Sequence, residues 1–233
     1  MATPMIVDGL ALSDQTDFAA LAREALLGGG GLGGLPNDVL PLDAVDRLHA
    51  DLAGTPYADR LSRGIAASLD AEPFVRYQAL LFFEKHPQAA GAERIDDIVA
   101  GDRSLFEGVV ETTANADLGF GLLRALGARA LAADGRARDL ARREALAAGR
   151  ALGVIAFITR ADPDWAEANA EAIVRGTPGA LGPLLFQLQL LERDIVPVGE
   201  RLARLVPVPE LRAVLERVVS DGEVRLRILA AVP

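Results

Sequence analysis

Apolar residues recur at intervals of three and four along most of the chain, a spacing that predicts helices, and Pro, Gly and capping residues mark their ends. Ser13 or Asp14 can cap a helix to about Leu27, with Phe18, Leu21, Ala25 and Leu26 on one face. The run GGGGLGGLP, residues 28–36, stops it, because no helix tolerates that many glycines. Asn37 or Asp38 opens the next helix, which runs to about Leu52 with Leu42, Val45 and Leu48 inward and ends at Gly54-Thr55-Pro56. A helix over Pro56 to Leu69 leads into one that starts at Pro73 and closes at His86-Pro87, since the residue before a proline is pushed out of the helical region. Ala92 to Ala100 is its return partner, with Ile95, Ile98 and Val99 inward.

Further on, helices are predicted over Leu105 to about Ala114 and over Leu118 to Ala132, with a break at Asp134-Gly135. Arg136 to Thr159 is the longest predicted helix, and Gly149 and Gly153 within it mark close approach of another helix. Asp162-Pro163 begins a helix to Arg175, and Thr177-Pro178 begins one to about Asp194. In that last helix Leu181, Leu184, Leu185, Phe186, Leu188, Leu190 and Leu191 cover nearly the whole circumference, which predicts a central position, covered on two sides. Helices over Val198 to Leu205, Glu210 to Val219 and from Val224 onward complete the chain.

Composition sharpens the class. The 233 residues suffice for one large core or one solenoid, and they are 51% hydrophobic but only 5% aromatic. Leu and Ala dominate, which favours helices packed through small side chains over a β-sandwich. The fold class expected is therefore all-α.

Two stretches share a pattern. In Asp70 to Phe83 (DAEPFVRYQALLFF) and Asp221 to Ala231 (DGEVRLRILAA), acidic residues precede a Val-Arg pair and an apolar run: Val75-Arg76 is answered by Val224-Arg225, and Ala79-Leu80 by Ile228-Leu229. Acidic residues suit the positive end of a helix dipole, and Val75, Ala79, Leu80 and Phe83 form one stripe. The Arg can lay its methylenes on a neighbouring helix and leave its guanidinium for a carboxylate. These stretches resemble the first helix of a HEAT repeat. The pairs stand 149 residues apart, room for four intervals of roughly 37 against the roughly 40–47 of such repeats; Asp102 to Thr113 (DRSLFEGVVETT) is a degenerate copy at best. The resemblance implies antiparallel hairpins stacked as a solenoid over residues 56–233, with residues 1–55 as an acidic helical region tethered by the 28–36 loop.

Charge limits the partners. The net charge is −9, and the first 60 residues hold nine Asp/Glu against three Arg. That acidity disfavours general binding to nucleic acid or to anionic membranes, where neutralising phosphates supplies most of the affinity, and favours a basic protein. With no Cys there is no disulfide, thiol catalysis or thiol-ligated metal. MATPMIVDGLALSDQTD lacks a basic n-region, and the apolar patch Ala151 to Thr159 is about half a membrane span. The chain reads as soluble and cytoplasmic, and its single Lys among 24 basic residues fits a GC-rich bacterial-like genome.

Catalytic signatures are sparse. His49 and His86 are the only histidines, on different segments and without metal-ligand spacing, and no G-x-S-x-G surrounds any serine. Gly29, Gly31 and Gly34 satisfy G-x-G-x-x-G, but a helix rather than a strand precedes them, so a linker explains them better than a dinucleotide loop. Asp96-Asp97 and Asp162 with Asp164 read as caps and surface charge. Trp165 beside Asp164 is similar to the aromatic and Asp side chains of HEAT-like DNA glycosylases, whose basic groove this acidic chain lacks. The most distinctive polar pattern is Arg129, Arg136, Arg143 and Arg150, seven apart, joined by Arg124, Arg138 and Arg142; Arg136, Arg143 and Arg150 would share one stripe of the long helix and bind an anionic group or acidic partner, the plainer reading being a solvated face. The function expected is a non-catalytic interaction module, a scaffold or adaptor without cofactor or metal, gripping another protein, a basic one by preference. The alternatives are a neutraliser of a basic toxin, an enzyme acting on a nucleobase or chromophore, and a structural subunit that pairs with its copy through the last helix.

Overall fold

A computed structural model describes residues 5–7, 10–28, 41–101, 113–132, 135–147 and 152–232. Among them the chain forms one short hairpin of β1 (Met5–Val7) and β2 (Leu10–Leu12) and thirteen α-helices. The helices are α1 (Phe18–Leu26), α2 (Pro41–Asp51), α3 (Pro56–Ala67), α4 (Pro73–Lys85), α5 (Glu93–Ala100), α6 (Thr113–Leu131), α7 (Gly135–Ala145), α8 (Leu152–Ala161), α9 (Pro163–Gly176), α10 (Leu181–Leu190), α11 (Val196–Leu202), α12 (Val208–Val218) and α13 (Gly222–Ala230). All-α is thus the fold class, with an antiparallel hairpin pairing Met5 with Leu12 that the helical reading did not include. The chain divides into two compact units, 1–125 and 126–233.

In the first unit α1 starts at Phe18 because the Asp17 side chain accepts from the backbone N–H of Ala19 and Ala20. Ser13 and Asp14, the expected caps, precede a turn in which Ser13 is tied to Thr16 instead. Gly54, at φ +78, ends the α2 segment, and the Thr55 hydroxyl accepts from Tyr57 N–H to start α3. α1 lies along α3 and also meets α2 and α4, and α2 meets α3 and α4. The approach of α1 to α3 depends on Gly64: a Cβ there would stand 2.3 Å from the Phe18 carbonyl oxygen. The expected stripe of Val75, Ala79, Leu80 and Phe83 is buried, as are Ile95, Ile98 and Val99 of α5.

In the second unit the contacts alternate. α8 meets α10, and α10 meets α12; α9 meets α11, and α11 meets α13. Chain neighbours also touch, α7 with α8, α8 with α9, α9 with α10 and α12 with α13. Glycines again set the spacing, since a Cβ on Gly127 would meet the Phe157 ring at 2.7 Å and one on Gly199 would meet Ile228 at 2.5 Å. Asp162 caps α9 by accepting from Trp165 N–H, and Asp221 caps α13 by accepting from Glu223 and Val224.

Several expectations are corrected. The helix expected over 136–159 is two helices: α7 ends at Ala145 with a turn at Leu146, and the chain is helical again from Leu152. The helix expected from Thr177 is a 3-10 turn, Pro178–Ala180, followed by α10, and α10 is not covered all round: Phe186 is 43% exposed and Leu190 61%. Asp96, read as surface charge, is 1% exposed while Asp97 is exposed. Gly29 to Pro36, Asn37, Asp38 and Asp102 to Glu111 lie outside the described residues. The two Val-Arg pairs both fall in helices, α4 and α13, in different units. Val75 is fully buried, whereas in α13 only Ile228 is.

Candidate interaction surface

The last two helices meet at a groove of about 560 Å³. α12 begins where Pro207 and Pro209 fix the backbone, and it buries Leu211 and Leu215. α13 buries Ile228 against Gly199 of α11, half-buries Val224, Arg225 and Leu229, and leaves Leu226 and Arg227 exposed. Leu226, 68% exposed, lines the groove with Arg212, Glu216, Glu223 and Arg225. Those four charged side chains have no ion partner among the described residues. Leu226 thus stands exposed amid charges of both signs. A second groove, about 580 Å³ between α9 and α11, is different in kind. There Glu171 is shared by Arg175 at 3.4 Å and Arg201 at 3.8 Å, so most of its charge is spent inside the fold.

The described arginines of the expected patch fall on α6 and α7. Arg136 and Arg143 lie on α7 and are exposed, Arg143 with Glu144 at 3.5 Å, and Arg150 lies outside the described residues. Arg124 donates to Glu84 through Nε at 3.1 Å and Nη2 at 2.5 Å. Arg129 is buried at 5% exposure, and the buried Nε of Arg138 has no hydrogen-bond partner. Arg142 forms ion pairs with Asp162 and, at 3.1 Å, with Asp139, and its guanidinium carbon stands 5.8 Å from the Trp165 ring centre. The hydrogen bonds from Arg142 to Asp162 raise the guanidinium pKa further. Trp165 does therefore meet an arginine and a carboxylate, but their charges neutralise one another. Asp162 gives one oxygen to the helix cap and the other to Arg142.

Sequence reasoning missed one constellation. The two histidines, on α2 and just past α4, stand with ring centres 4.8 Å apart, both against Phe82. His86 Nε2 donates to Asp46 Oδ1 at 2.8 Å, and Lys85 is ion-paired with Asp46 Oδ2. Burial, with the neighbouring His86, lowers the His49 pKa. A sequence separation of 37 positions gives no local signal for such a contact. Among the described residues no group of three or more His, Cys, Asp or Glu could hold a metal ion, and no helix is long and apolar enough to cross a membrane. Neither a protein-family model, a curated protein nor a solved structure matches the chain.

Proposed function

We propose that the protein is a HEAT-like interaction module that binds another protein through the α12–α13 groove and carries out no chemistry of its own. The observation that carries this reading is the groove itself, with Leu226 exposed amid Arg212, Glu216, Glu223 and Arg225, none of which has an ion partner among the described residues. Burying Leu226 against a partner would contribute about 2 kcal/mol, and each unpaired charge offers a place for specificity. The alternating contacts of α8, α10 and α12 and of α9, α11 and α13 support stacked hairpins, the arrangement in which repeat proteins present extended binding surfaces. The acidity of residues 1–60 favours a basic partner, of which a neutralised toxin is a special case.

The enzyme reading rests on Trp165 beside Arg142 and Asp162, and those groups are engaged with one another. Capture from native lysate on immobilised wild-type chain, run beside Leu226→Asp, tests the proposal. A partner retained by the wild type and lost from the variant is expected, and equal retention by both removes the groove from the account. Light scattering at rising concentration is the companion measurement: a mass that doubles with the wild type alone makes the partner a second copy.

A further inference from the structure

We propose that His49 and His86 form an acid-released latch between α2 and α4. The two rings lie edge to face and tilted against the fully buried Phe82, at 5.2 and 4.6 Å between centres, so a neutral His49 imidazole completes an apolar and aromatic contact. The Asp46 carboxylate at the latch already serves two cations or donors. Asp46 has two oxygens; Oδ1 accepts from His86 and Oδ2 is held by Lys85. A proton taken up by His49 makes an imidazolium in a half-buried site, 4.8 Å from the His86 ring, where the Asp46 carboxylate is already shared by His86 and Lys85.

The surrounding charges decide the sign. From α2 itself Asp46 favours the charged ring, and from α3 Asp59 does so too; from α4 and the residue that ends it, burial and His86 oppose the charge more strongly, and the balance holds the His49 pKa below its ordinary value of 6.5. From α1, which also packs on α2, Arg23 is paired with Glu72. Asp43 acts on Lys85 and not on His49. A histidine whose pKa is lowered by folding takes up its proton more readily when α2 is released. Closure is therefore favoured fully above about pH 6.5 and weakens as the pH falls below it. As long as the closed form keeps His49 neutral, each pH unit in that range multiplies the released population by up to about tenfold.

Hydrogen exchange of the full chain from pH 7.5 to 5.5, corrected for intrinsic exchange, reads this directly. Residues 126–233 contain no histidine, so the amides of α10 serve as the control within the same molecule. Expected is a fall in α2 protection approaching tenfold per pH unit below about 6.5, with α10 flat and with His49→Phe flat in both. His86→Gln removes the repelling ring but not the burial, and makes the α2 fall shallower than in the wild type; it supplies the reading if His49→Phe does not fold. Equal pH dependence of α2 in the wild type and in a folded variant, or α2 and α10 falling in parallel, overturns the latch.

Discussion

At the scale of single residues, Asp162 and Gly64 each do two things at once, and substitutions separate them. Asp162 caps α9 and pairs with Arg142. Asp162→Ala loses both, for an expected cost of about 1–2 kcal/mol, of which the cap accounts for about 1. Asp162→Asn keeps an acceptor for the cap, and because Arg142 is about a third exposed the lost pair costs under about 1 kcal/mol. Urea unfolding followed by the fluorescence of Trp165, the only tryptophan, ranks the two. For Gly64→Ala two effects compete. Alanine is better than glycine in a helix by about 0.5–1 kcal/mol, but the new methyl would meet the Phe18 carbonyl oxygen at 2.3 Å, and overpacking costs about 1–3 kcal/mol. The clash wins because its obstacle is backbone. Gly199→Ala meets the Ile228 side chain, which can turn aside in part, so it is expected to cost less than Gly64→Ala in the same measurement.

At the scale of elements, α13 has a single fully buried side chain, Ile228. Ile228→Ala is expected to cost about 2 kcal/mol or more and to strip the slow hydrogen exchange from α13 first, while α8 and α10 keep theirs. Equal loss across all three helices would mean that α13 is held by more than Ile228. The elements also divide by how well they could be read from sequence. Helix starts at Pro56, Pro73 and Asp162-Pro163 were legible, because a proline in the first turn is a signal carried within a few residues of the chain. The continuous helix over 136–159 was misread, since alanines satisfy a helical period without requiring it. The apolar girdle of α10 was read as full burial, yet Phe186 and Leu190 face out: periodicity reports what a helix could bury, not what neighbours arrive to cover it. The Asp8-Gly9 dipeptide between two apolar triplets was an overlooked hairpin signal. The histidine contact and the α12–α13 groove had no such signal, because both arise where distant segments meet.

At the scale of the whole molecule, charge governs behaviour more than any single site does. With a net charge of −9 at pH 7 and a pI near 4.8, the chain repels its copies at neutral pH, and solubility is expected to reach its minimum near the pI. Turbidity across pH 4 to 8 checks this, and self-association through a specific surface is to be sought near pH 7.5, well away from that minimum. The alternating contacts of the second unit carry a consequence for how it assembles. No helix from α8 to α13 has to find a partner more than two helices away, so each contact closes a short loop and forfeits little chain entropy. Low contact order of that kind makes for rapid folding that can begin at any pair and spread to the next.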